Sequence, residues 1–130
     1  MAMPAATCGT SCMSSLTELT RAVLAFRDAR AWAQFHDLRN LIVSLNLEAA
    51  ELLELTQWKS DAEITALPDA PATREALADE CADVLLYLLL VAEKAGIDLE
   101  QAAKDKLLKN AEKYPVAQAY GSRRKYTEYR

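Results

Sequence analysis

The sequence predicts an all-α protein, a four-helix arrangement, on three observations. β-Branched residues are sparse, and no alternating apolar-polar run of strand length occurs. Apolar residues recur instead at three- and four-residue spacing in four segments. The 3 glycines and 4 prolines fall between those segments or at their ends. With 130 residues, 52% of them hydrophobic and 26% charged, the chain suits one globular domain with its own core.

Ser15 and Glu18 form an S-x-x-E capping box, after which Leu16, Leu19, Val23, Leu24 and Phe26 carry a first helix toward Trp32. Asp37 is the N-cap of a second helix running to about Trp58, with Leu41, Ile42, Leu45, Leu52 and Leu55 on its apolar stripe. Lys59 to Thr73 contains Pro68, Asp69 and Pro71 and reads as a connection with a short helical turn around Ala62 to Leu67. A third helix should span Thr73 to Ala95, ended by Gly96 in the position of a left-handed cap. Asp98 and Gln101 then cap a fourth, which continues through Leu107 and Leu108 until Pro115 forbids extension. The chain thereby divides into an N-terminal tail (1–14), a helical domain (15–115) and a basic C-terminal tail (116–130).

The third helix is apolar on every side from Val84 to Ala92, more than one bundle stripe requires. Part of it is therefore expected to face another subunit, giving a homo-oligomer, a dimer or a tetramer. The alternative is a helix central in the monomer, which so small a bundle struggles to cover.

Several function classes drop out. The net charge is −4, from 15 basic and 19 acidic residues, so no broad positive field exists to hold nucleic acid. Tyr120, Tyr126 and Tyr129 interleave with Arg123, Arg124 and Lys125, but the patch is short, and packing over a neighbouring subunit explains it better than RNA. Gly9, Gly96 and Gly121 lie too far apart for a P-loop or a dinucleotide-binding turn. Cys8, Cys12 and Cys81 with the single His36 do not make a compact zinc site, and reduced thiols with a cytoplasmic address are expected. Residues 1–14 lack a basic, apolar signal pattern, and no apolar run approaches the roughly 20 residues of a membrane span. One histidine cannot supply the two Glu-x-x-His pairs of a di-iron bundle, and no glycine-rich turn accompanies it to present a nucleophile.

What carries chemistry is a pair of acidic doublets, Glu48-x-x-Glu51 on the second helix and Glu80-x-x-Asp83 on the third. The i, i+3 spacing sets each pair on one helical face, roughly 5–6 Å apart at Cβ, close enough to share a cation. Glu48 lies on the stripe of Leu41, Leu45, Leu52 and Leu55, and Glu80 on that of Leu77, Val84, Tyr87 and Val91, so both point inward. An E-x-x-E pair is often only a solvated acidic face. Here, however, the residues four positions on are Leu52, Leu55, Val84 and Tyr87, none a basic partner. Four converging carboxylates need a cation, and an all-oxygen set favours Mg²⁺, with Mn²⁺ as the alternative. Mg²⁺ in turn points to a phosphate ester as substrate.

Four stretches add specificity: W-x-x-F-H-x-x-R-N-L at Trp32 to Leu41, E-x-x-E-L-x-E-L-x-Q-W-K at Glu48 to Lys59, E-x-x-D-V-L-x-Y-L at Glu80 to Leu88, and R-K-Y-T-E at Arg124 to Glu128. In these the chain resembles the MazG-like all-α nucleoside triphosphate pyrophosphohydrolases, most closely their dCTP pyrophosphatase group. The resemblance implies Mg²⁺-dependent cleavage of a nucleoside triphosphate, dCTP or a modified dCTP, to the monophosphate and pyrophosphate. It implies metal ligation by Glu48, Glu51, Glu80 and Asp83, with Glu48 or Glu51 as the base. Many members carry E-E-x-x-E where Leu47 precedes Glu48 here, which leaves open which carboxylate orients the water. By the same resemblance Lys106 and Asn110 contact the nucleotide, and Trp32, His36, Trp58 and Tyr87 surround the base. Arg39 and Asn40 either bind phosphate or cap local backbone, and ordinary core packing is the plain alternative for Trp32 and Tyr87.

Overall fold

Local capping chemistry sets most of the boundaries seen in the computed structural model, which describes residues 15–129. The Ser15 hydroxyl accepts from the Glu18 backbone N–H at 3.1 Å and starts α1, Leu16–Asp28. This helix ends short of the predicted Trp32. The Arg30 guanidinium donates to the Phe26 carbonyl at 2.9 Å and stacks 3.6 Å from the Phe26 ring centroid, closing the last turn. Ala31 then adopts a left-handed φ of 53°, and a 3₁₀ turn over Trp32–Phe35 brings Trp32 edge-on to Phe26, 5.8 Å between centroids. The Asp37 carboxylate accepts from the Asn40 N–H at 2.8 Å and opens α2, Leu38–Glu54. Its end also falls short of the predicted Trp58. Thr56 Oγ1 donates to the Leu53 carbonyl at 2.6 Å, competing with helix continuation, and Trp58 itself has φ 63°.

The connection holds α3, Asp61–Thr65, begun by a Ser60/Glu63 capping box, and a 3₁₀ turn over Leu67–Asp69. Pro71 opens α4, Pro71–Lys94, where its missing N–H costs nothing. At the far end Gly96 (φ 67°) donates to Glu93 O at 3.1 Å and Ile97 to Ala92 O at 2.8 Å, a Schellman cap. Asp98 caps α5, Leu99–Lys113, through the Gln101 N–H at 3.0 Å. Past Pro115 comes α6, Val116–Ala119, and the rings of Tyr126 and Tyr129 meet Tyr114 edge-on at 5.8 and 6.0 Å. No strand occurs among the described residues. The predicted tail of residues 1–14, with Cys8 and Cys12, lies outside the described residues; Cys81 is a free, exposed thiol.

α4 is the central helix. α2 packs along one side of it, α1 along another, and the Leu67–Asp69 turn covers a third stretch. Among the described residues only Leu41, Leu67, Leu89, Leu90 and Ala92 are buried, while Val84 to Leu88 are half-covered. α5 touches the rest of the chain only sparsely, and Leu107 and Leu108 on it are 69% and 68% exposed. No described helix is long and apolar enough to cross a membrane.

Candidate active site

Where α2 and α4 run side by side, the two acidic doublets meet. Glu48 from α2 and Glu80 and Asp83 from α4 each offer a carboxylate oxygen within 4.8 Å of the others. Glu51, one turn beyond Glu48, adds a fourth negative charge felt by both Glu48 and Glu80. Burial, then the Glu51, Asp83 and Glu80 charges, raises the Glu48 pKa above its ordinary value. Glu80 is raised in the same way, by burial and then by Glu51, Asp83 and Asp79. Its Oε2 atom is buried without a hydrogen-bond partner among the described residues. Among the described residues no lysine or arginine forms an ion pair with any of the four acids. A buried acceptor with no donor, set in an uncompensated all-oxygen cluster, fits a hard divalent cation.

Asp83 has a second neighbourhood. It lines a cavity of about 340 Å³ between α1, the Trp32–Phe35 turn and α4, whose wall includes Phe26, Arg27, Trp32, His36 and Tyr87. That volume and its aromatic lining suit a small-molecule ring. The left-handed Ala31, a conformation that costs roughly 1–2 kcal/mol for an L-residue, is what turns Trp32 into this wall. Burial, followed by the Arg27 and Lys94 charges, holds the His36 imidazole below its ordinary pKa, so it is neutral at pH 7. Its Nδ1 is buried with no hydrogen-bond partner among the described residues.

The structure thus brings together Glu48, Glu51, Glu80, Asp83, Trp32, His36 and Tyr87. It does not bring the remaining sequence candidates to the cavity within one chain. Arg39 is exposed on the first turn of α2, and Asn40 is engaged in capping, its Nδ2 donating to Asp37 Oδ2 at 3.0 Å and to the Phe35 carbonyl at 3.3 Å. Trp58 is 93% exposed, and Lys106 and Asn110 lie on the outlying α5. Sequence reasoning passed over Arg27. Its signal was a basic residue on an apolar stripe, continuing the four-residue spacing of Leu19 and Val23, both of which line the cavity.

Comparison with known proteins follows the same lines. The family model described as MazG-like matches residues 43–129. dCTP pyrophosphatase 1 from Rattus norvegicus is 42% identical over 114 residues, covering 88% of this chain and 67% of the relative. The Homo sapiens protein of that name is 41% identical over the same shares. The crystal structure of a pyrophosphatase from Archaeoglobus fulgidus superposes with a TM-score of 0.71 at 40% identity, over 77% of this chain and 92% of that one.

Proposed function

The chain belongs to the MazG-like family, within its dCTP pyrophosphatase group, and we propose that its acidic cluster cleaves dCTP or a modified dCTP between the α- and β-phosphates. The enzyme class is nucleoside triphosphate pyrophosphohydrolase. The observation that carries the reading is the convergence of Glu48, Glu80 and Asp83 within 4.8 Å, with Glu80 Oε2 buried and without a partner among the described residues, at the edge of an aromatic cavity.

Glu48, Glu51, Glu80 and Asp83 would hold Mg²⁺, or Mn²⁺ in its place. When bound, the ion supplies charge neutralisation for the triphosphate and a more acidic water. Glu48 or Glu51 takes the proton from the water that attacks the α-phosphorus. The bond to the bridging oxygen breaks, and pyrophosphate leaves with the electron pair. Trp32 and Tyr87 flank the base, and neutral His36 offers one ring nitrogen as donor or acceptor.

A panel of normal and modified triphosphates tests the reading by pyrophosphate release in the presence of Mg²⁺. The fastest turnover is expected with deoxycytidine triphosphates. Comparable turnover across all bases would instead mark a broad-specificity pyrophosphohydrolase, and no release with any nucleotide would leave a helical interaction module whose acids are structural.

The site is completed, on this reading, in a homo-oligomer, a dimer or a tetramer. The sparse core and the exposed Leu107 and Leu108 are surfaces a second copy would cover, and Arg39, Trp58, Lys106 and Asn110 would then reach a neighbouring nucleotide. Leu107→Glu with Leu108→Glu is expected to reduce the particle to a smaller species in sedimentation, and an unchanged mass would remove α5 from the interface. A cytoplasmic address completes the proposal, in keeping with the free thiol of Cys81.

A further inference from the structure

Among the described residues lining the cavity, Arg27 alone carries a permanent positive charge, and it shares that lining with Asp83 of the acidic cluster. Its side chain is only 18% exposed. Asp28 holds it from one side: Nε donates to Oδ1 at 2.8 Å, and Nη2 stands 2.8 Å from the same oxygen. On the other side Nη1 is 3.9 Å from Glu93 Oε2 on α4, beyond hydrogen-bond distance. The two N–H groups at the end of the guanidinium, one on each terminal nitrogen, therefore meet no acceptor among the described residues. A semi-enclosed guanidinium that is oriented by a carboxylate yet left with an open fork is arranged to receive a ligand with two adjacent acceptors.

We propose that Arg27 is a specificity-determining residue whose guanidinium fork reads two adjacent acceptors on the edge of the base in this cavity, N3 and O2 of cytosine. This rests on the nucleotide reading above. Thymine and uracil place an N–H between their two carbonyls, so the fork would face a donor and one contact would be lost. Guanine offers a comparable pair at O6 and N7, but on a larger two-ring base, which makes dTTP the informative competitor.

The test is steady-state hydrolysis of dCTP and dTTP by wild type, Arg27→Lys and Arg27→Gln, with calorimetric binding of dCMP and dTMP as the comparison that needs no turnover. Lysine keeps the charge and loses the fork. Both variants are expected to lose the dCTP-over-dTTP preference by ~10- to 100-fold, chiefly through KM for dCTP, with helix content unchanged. A preference unchanged in both variants overturns the proposal, as does an equal rise in KM for both nucleotides, the mark of a phosphate contact. A wild-type enzyme that cleaves triphosphates without preferring dCTP overturns it while sparing the enzymatic reading. A wild type that neither binds nor cleaves any nucleotide overturns both.

Discussion

Glu51→Gln and Asp83→Asn are each expected to lower kcat/KM for triphosphate cleavage by ~10²- to 10³-fold or more, the scale of losing one electrostatic stabiliser of a transition state. Both changes replace a carboxylate by an amide of nearly the same shape. Both positions are exposed on long helices, so the circular dichroism spectrum should not change. What is lost is one of four negative charges that together make the cluster intolerable without a cation. The two variants should differ in one respect. Asp83 also lines the aromatic cavity, so its neutralisation is expected to disturb nucleotide KM as well as turnover, whereas Glu51 should act on turnover. Full activity in both variants would remove the acids from the chemistry.

The acids were legible in the sequence because their message is local. An i, i+3 spacing on a helix fixes a common face whatever the helix packs against, and two such doublets on adjacent helices had few places to point but toward each other. Ser15, Asp37, Asp98 and Gly96 were legible for the same reason, since each satisfies backbone groups within four residues of itself. The early ends of α1 and α2 were not. They depend on Arg30 folding over Phe26 and on the Thr56 hydroxyl outcompeting the ladder, choices that helical periodicity does not encode. Nor did periodicity encode the cavity, one wall of which is Trp32 on the turn that follows the left-handed Ala31. Arg27 was hidden by its own type: a basic residue near a helix C-terminus has an ordinary reason to be there. α6 escaped because four residues after a proline carry too little pattern, although the Tyr114, Tyr126 and Tyr129 rings that accompany it are plain in the sequence.

Thermal stability is expected to respond to Mg²⁺ and to pH in opposite senses, and the pair of responses isolates the cluster. Glu48 and Glu80 have pKa values above the ordinary carboxylate range in the folded protein. Across the interval between the unfolded and folded values the native state binds more protons, so in a chelator stability falls as pH rises through that interval and stays lower at neutral pH. A divalent ion binds the ionised carboxylates, so its contribution grows as pH rises over the same interval and offsets that loss. At free Mg²⁺ roughly a hundredfold above Kd the gain is about 2.7 kcal/mol, or roughly 10 °C in Tm for a chain of this size. Glu80→Gln should reverse the pattern. By removing the negative charge of a half-buried carboxylate that is repelled by its acidic neighbours, it is expected to raise Tm in chelator at pH 7 and to shrink the Mg²⁺ shift by more than half. Melting curves with and without Mg²⁺ at pH 5 and pH 7 check this. A wild-type Tm indifferent to Mg²⁺ at pH 7 would mean that the carboxylates hold no cation.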